Sequence, residues 1–344
     1  DFLFLFFLTL IIFSSFTIFY NLISKNLGLI DYPSERKKHI GSIPLTGGII
    51  IFSTIFFLSL IFPLDTDLNL IIYASSIIIF IGILDDSIQL DVLIRLFGQI
   101  FSCLILVGSG FIIKDLGSYE FYGSIDLGKF SLLFTVICVV ALTNATNFID
   151  GSDGLASGLT LTSIFFILFY SYNNILDSSF YFLIVLILPI IFFIFLNLNF
   201  NFKFFNKIFL GDSGSTFLGF LLAFLLIYFT QIEKILPPIM VPWLITLPIF
   251  DLITVTIRRI VNRQNPFSAD RTHIHHILID KGFSSFKTFL ILISLNSFGA
   301  IMGGLIYFFL GADFALFLIF IWLLIYVIIT ILFTANNNGN ISVK

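Results

Sequence analysis

The stretch Ile71–Asp86, I-I-Y-A-S-S-I-I-I-F-I-G-I-L-D-D, decides the class of the fold, because an almost unbroken apolar run ends abruptly on two adjacent aspartates. A second apolar run ends before Asp150 and Asp153, and another begins just after Asp212. The whole 344-residue chain is built this way: 58% of its residues are hydrophobic, 11% are charged, and its mean hydropathy is +1.11. A soluble core is excluded by that balance. Runs of about 20 apolar residues cross a bilayer as helices, since only a helix satisfies its own backbone there.

Hydropathy predicts an all-α, polytopic integral membrane protein with eleven spans: 2 to 23, 45 to 64, 70 to 84, 92 to 108, 129 to 147, 155 to 172, 179 to 198, 214 to 230, 239 to 257, 288 to 310 and 314 to 333. The first run reads as a retained span, and Pro189, Pro242 and Pro248 are expected to kink their helices. The two cysteines, Cys103 and Cys138, both fall inside apolar runs and suggest neither a disulfide framework nor a thiolate metal site. With the N-terminus outside and the C-terminus cytoplasmic, all of the 17 basic residues except Lys114, Lys129 and Lys234 fall on the inside. Cytoplasmic loops favour such residues. Asp85, Asp86, Asp150, Asp153 and Asp212 then share the cytoplasmic face. Residues 1–344 are expected to form one transmembrane catalytic domain, its site built from loops 24–44, 85–91, 148–154, 199–213 and 258–287.

Carboxylates at membrane depth are costly and mark function. Asp85 and Asp86 repel each other unless a cation sits near, which suits a metal site or a general base, though a solvated pair at the membrane edge would look the same. In N-A-T-N-F-I-D-G-S-D-G-L-A, residues 144–156, the spacing of three puts Asn144, Asn147 and Asp150 on one helix face, with Gly151 and Gly154 allowing close backbone approach. A plain polar helix end is the alternative. In F-L-G-D-S-G-S-T-F-L-G-F, residues 209–220, Asp212 either caps a helix with Ser213 or holds a metal that a phosphate shares at the helix N-terminus. The loop N-P-F-S-A-D-R-T-H-I-H-H, residues 265–276, gathers Arg271, His273, His275 and His276, a guanidinium and neutral or charged imidazoles suited to a pyrophosphate better than to zinc. Arg36, Lys37 and Lys38 in the first inside loop either enforce orientation or grip a lipid-linked phosphate. Clustered aspartates facing basic loops point to magnesium and to phosphoryl transfer at the membrane surface.

Taken together, P-S-E-R-K-K-H with I-P-L-T-G-G, L-D-D, N-A-T-N-F-I-D-G-S-D-G-L, F-L-G-D-S-G-S-T and N-P-F-S-A-D-R-T-H-I-H-H resemble the polyprenyl-phosphate N-acetylhexosamine-1-phosphate transferases of glycosyltransferase family 4, most closely the WecA type. That resemblance covers residues 31 to about 333. It implies transfer of N-acetylglucosamine 1-phosphate from UDP-N-acetylglucosamine to undecaprenyl phosphate, with release of UMP and with Mg2+ or Mn2+ as cofactor. This would be the first lipid-linked step of a cell-surface polysaccharide in the bacterial inner membrane. The implied roles are metal ligation for Asp212, catalysis for Asp85, Asp86, Asp150 and Asp153, and substrate binding for Lys37, His39, Asn144, Asn147, Phe209, Arg271, His273, His275 and His276. Relatives commonly read D-D-x-x-D, whereas here Gln89 stands at the last position and Asp91 follows it. An MraY-type phospho-N-acetylmuramoyl-pentapeptide transferase and an ion-coupled transporter are the competing expectations. A homodimer is compatible with the chain, membrane lipid is an expected partner, and nucleic acid is not.

Overall fold

A computed structural model describes residues 2–33, 41–62, 64–198, 206–264 and 272–338. The described chain is mostly helical. α1 (Phe2–Ile23) leads through the two-residue strands β1 (Ile30–Asp31) and β2 (Ile43–Pro44) to α2 (Gly47–Ile61), α3 (Thr66–Ile88) and α4 (Val92–Gly108). A hairpin of β3 (Asp115–Tyr119) and β4 (Gly123–Asp126) precedes α5 (Ser131–Ile149), α6 (Leu155–Ser171), α7 (Asp177–Asn197) and α8 (Gly211–Ile227). Then come α9 (Met240–Leu244), α10 (Thr246–Val261), α11 (Ile274–Asp280), α12 (Ser285–Leu310) and α13 (Ala312–Asn338).

Seven helical stretches among the described residues are long and apolar enough to cross a membrane, and α2, α4 and α6 are shorter apolar helices. The chain is therefore an integral membrane protein. The span expected over 239–257 is instead broken into α9 and α10 at Ile245. Pro242 and Pro248 flank that break, and Asn296 of α12 mends it by donating to the Leu244 carbonyl (3.2 Å) and accepting from the Leu247 amide (3.1 Å). Irregular backbone at membrane depth survives where such partners satisfy it.

α8 is the hub. In its apolar stretch 83% of the residues are buried, against 17% in α13. Without a hydrophobic drive between helices in lipid, close packing holds them together, and small residues permit it. A Cβ on Gly48 of α2 would lie 2.3 Å from Gly214 Cα, and one on Gly82 of α3 would lie 2.3 Å from Ser213 Cα. One on Gly219 would lie 2.8 Å from Thr143 Cα on α5. Backbone pairing adds to this: Gly47 and Gly48 donate to the carbonyls of Phe209 and Leu210, and Phe209 donates to that of Pro44. The I-P-L-T-G-G motif is thus a cradle for the start of α8.

Neither Gly48 nor Gly82 faces a side chain that can swing away, so Gly48→Val and Gly82→Val should each lose more than the roughly 1–3 kcal/mol typical of overpacking. Gly108→Ala, which meets open space, should be neutral. Equal unfolding temperatures in detergent for all three variants would contradict this packing.

Candidate active site

The end of α3, the end of α5 and the start of α8 meet at one point. α8 opens at Leu210 without a side-chain cap of its own. Its first amides are satisfied across the fold: Asp86 Oδ1 accepts from the Asp212 amide (2.7 Å) and Asp86 Oδ2 from the Ser213 amide (3.0 Å). This is a cap supplied in trans, and it differs from the local cap by Asp212 or Ser213 that the sequence allowed. Gly211, at φ +77°, brings the backbone so near that a Cβ there would lie 2.6 Å from Asp86 Oδ2. A carboxylate has about four lone-pair positions, so Asp86 retains acceptor capacity beyond these two bonds.

Asp85 is buried, and each of its oxygens has a partner. Its Oδ1 accepts from the Leu90 amide (2.8 Å) and its Oδ2 from Arg95 on α4 (2.9 Å). The same Arg95 nitrogen lies 3.9 Å from Asp212 Oδ2. On the other side of Asp212, Oδ1 accepts from Asn147 Nδ2 (3.0 Å), which also donates to Ser215 Oγ (2.9 Å). A narrow cleft of about 10 Å³, lined by Gly82, Asp85, Arg95, Gln99, Asp212 and Thr216, lies there between α3, α4 and α8.

Asp150, at the end of α5, feels three like charges. Withdrawal from water and, next, the negative charge of Asp212, Asp86 and Asp153 push its carboxyl well above the ordinary carboxylate range. Carboxylates that feel one another's charge in this way ionise together more readily with a cation nearby. Asp153 carries its own, since Lys207 Nζ donates to it at 2.7 Å. Lys207 also lies 5.1 Å from the centre of the half-buried Phe209 ring.

The histidine segment closes the opposite side. His275 is buried against Gly151, where a Cβ would fall 2.1 Å from its Nε2. The His273 ring centre lies 5.8 Å from that of Phe148 and 6.0 Å from that of His275, which in turn lies 4.1 Å from His276.

Asp85, Asp86, Asn147, Asp150, Asp153, Phe209, Asp212, His273, His275 and His276 therefore come together at one end of the bundle. Asn144 differs: its amide donates to Gln99 Oε1 (2.8 Å) and the Val140 carbonyl (2.8 Å), which ties α5 to α4. Lys37, His39 and Arg271 lie outside the described residues. Gln89 ends α3 at φ 55°, and Asp91 caps α4 by accepting from the Leu93 amide (2.9 Å), so Asp91 serves a helix end. Arg95 and Gln99 belong to the site although the sequence marked them only as a topogenic charge and a residue of a span. Their spacing of four on one helix was the available signal.

Oxygen donors from aspartate and asparagine are the set that a hard divalent cation prefers. Among the described residues no three His, Cys, Asp or Glu side chains stand ready to enclose an ion. Magnesium needs no such cage, because it is usually held by one or two carboxylates together with water and substrate phosphates. The residues fit an ion that arrives with its substrate.

An intramembrane helical bundle carrying an acidic, phosphate-suited site at one end defines a membrane-embedded transferase, and the chain belongs to glycosyl transferase family 4, whose profile matches residues 68–230. It is similar to the undecaprenyl-phosphate alpha-N-acetylglucosaminyl 1-phosphate transferase of Escherichia coli strain K12, at 33% identity over 291 residues, covering 80% of this chain and 76% of that protein. The enzyme of the same name from Yersinia pestis is 32% identical over 283 residues, covering 80% and 76%. A probable undecaprenyl-phosphate N-acetylglucosaminyl 1-phosphate transferase of Bacillus subtilis strain 168 is 33% identical over 267 residues, covering 76% and 73%.

Asp86→Ala should lower the unfolding temperature, since it strands two helix amides at about 1–3 kcal/mol each. Asp212→Asn keeps an acceptor for Asn147 and removes one negative charge, so it should leave that temperature unchanged or raise it. Thermal unfolding in detergent that ranks the two variants the other way would remove Asp86 from the capping role.

Proposed function

We propose that this chain transfers N-acetylglucosamine 1-phosphate from UDP-N-acetylglucosamine to undecaprenyl phosphate, releasing UMP. The observation that carries this reading is the convergence of Asp86, Asn147 and Asp150 on Asp212 beside Arg95, at the mouth of a cleft between spanning helices. The relatives' names supply the acceptor and the group transferred, and the motif resemblance supplies the UDP-linked donor. Eleven crossings, with the N-terminus outside and loops 24–44, 85–91, 148–154, 199–213 and 258–287 inside, put the site on the cytoplasmic face of the bacterial inner membrane, where the water-soluble nucleotide sugar is available. The whole chain then works as a single catalytic domain.

In this reading the lipid phosphate enters along the cleft and meets Arg95, the fixed cation at its lining. The guanidinium fork suits a phosphate and already holds Asp85 in place. The uridine lies toward Phe209, a half-buried ring that offers a stacking face, and Asp153 and Lys207 brace that wall. His273, His275 and His276, with Arg271 and with Lys37 and His39 from the first inside loop, provide donors to the pyrophosphate and the sugar. An oxygen of the lipid phosphate attacks the β phosphorus, a new P–O bond forms, and the bond from the β phosphorus to the bridging oxygen breaks, so that oxygen leaves with UMP. The lipid phosphate is already an anion at neutral pH, so little proton transfer is required. Asp86 and Asn147 orient Asp212, and Asp150 completes the acidic wall.

Asp212, assisted by Asp150 and Asn147, would hold Mg2+ or Mn2+, which when bound offsets the charge on the two nucleotide phosphates. Purified protein should release UMP from UDP-N-acetylglucosamine only when undecaprenyl phosphate and a divalent cation are both present. UDP-N-acetylgalactosamine and UDP-N-acetylmuramoyl-pentapeptide should support slower release. Asp212→Asn should reduce release by at least about 10²-fold, the scale of losing one transition-state electrostatic contact. Faster turnover of the muramoyl-pentapeptide nucleotide would move the donor assignment to the MraY type.

A further inference from the structure

Asp251 is a buried carboxylate to which the reaction scheme gives no task. It lies within α10, inside the run 239–257 that reads as an ordinary span, and it is 3% exposed. Three donors surround it. His273 Nδ1 stands 2.6 Å from Oδ2, and Oδ1 accepts from the Ile274 amide (3.0 Å) and from the Tyr326 hydroxyl (3.1 Å). A carboxylate buried this deeply persists because it is paired and hydrogen-bonded. Its partners come from two separate elements: the histidine segment at the start of α11, and α13, the last helix of the chain.

We propose that Asp251 is a positioning residue for His273, and that Tyr326 holds Asp251 in turn, which makes α13 a working part of the active site. This rests on the reading of His273 as a donor to the substrate. An ionised carboxylate only accepts, so Asp251 keeps a proton on His273 Nδ1 and fixes the ring's rotation. Nε2 is then the nitrogen left to address the substrate: bare, it accepts from a sugar hydroxyl, and it donates to a phosphate oxygen once the ring takes up a second proton. The Ile274 amide on the same carboxylate ties the backbone of the segment to α10, and Phe148 stands beside the His273 ring. His273 is therefore fixed in position by α10 and α13, next to the end of α5 that carries Asp150.

Asp251→Asn and Tyr326→Phe test the proposal in the full-length protein. The asparagine keeps the shape and one acceptor, but it lets an amide N–H face Nδ1 and so favours a proton on Nε2 instead. The expected result is a fall in kcat of about 10- to 100-fold for Asp251→Asn. A smaller fall is expected for Tyr326→Phe, with KM for UDP-N-acetylglucosamine within about threefold of the unsubstituted protein in both, as for an interaction that strengthens in the transition state. Asn296→Ala, which loosens the α9–α10 break in the same region, is the control for general loosening and should lower the unfolding temperature without a matching loss of kcat. Nitrogen NMR of the protein labelled at its four histidines, with His273→Gln to assign the ring, provides a readout that needs no turnover. The His273 ring should carry its proton on Nδ1 and lose that state in Asp251→Asn. An Nδ1 without a proton in the unsubstituted protein would overturn the proposal even if no nucleotide sugar were turned over, a result that would count separately against the transferase reading. Unchanged kcat in both variants, or an equal loss in Asn296→Ala, would also overturn it.

Discussion

The start of α8 is the constraint on which the site depends. A helix that begins among the packed ends of its neighbours presents free amides, and each needs an acceptor. Asp86, from the end of α3, supplies two acceptor oxygens at once. The approach is tight enough to demand glycine at residues 48, 82 and 211, and those glycines in turn fix where Asp212 projects. Helix capping, close packing and placement of the acidic group are one event.

The same arrangement concentrates negative charge that the fold only partly neutralises. Arg95 answers Asp85 and approaches Asp212, and Lys207 answers Asp153. Asp150 is instead withdrawn from water beside like charges, which raises its affinity for a proton. Among the described residues the site is short of positive charge, which suits a substrate that brings cations with it. A nucleotide diphosphate accompanied by a divalent metal is such a substrate. The histidine segment adds donors on the far wall, held there by buried groups that touch no ligand themselves.

Much of this was legible along the chain. Apolar periodicity and the placement of basic residues indicated a helical membrane protein with its aspartates on one face, and their spacing put Asn147 and Asp150 on one side of a helix. What stayed hidden depends on partners far away in sequence. Spacing put Asn144 on the same face as Asn147, but Gln99, one helix away, engages it. Asp91 follows the Gln89 position where relatives carry an acid, yet the chain turns there and the Asp91 carboxylate caps the next helix. Asp251 sat unnoticed in a run expected to span, because a single acid among apolar residues gives no sign of the imidazole and phenol that satisfy it. The break at Ile245 was marked by prolines, although the asparagine that makes it tolerable lies on another helix.

The fate of the β phosphate of UDP-N-acetylglucosamine tests the central claim most directly. With that phosphorus labelled and undecaprenyl phosphate supplied in detergent or nanodiscs, the label should move into the lipid-extractable product in step with the appearance of unlabelled UMP in the water phase. Label that stays in the water phase as sugar phosphate while UMP is released would describe a hydrolase and contradict transfer to the lipid.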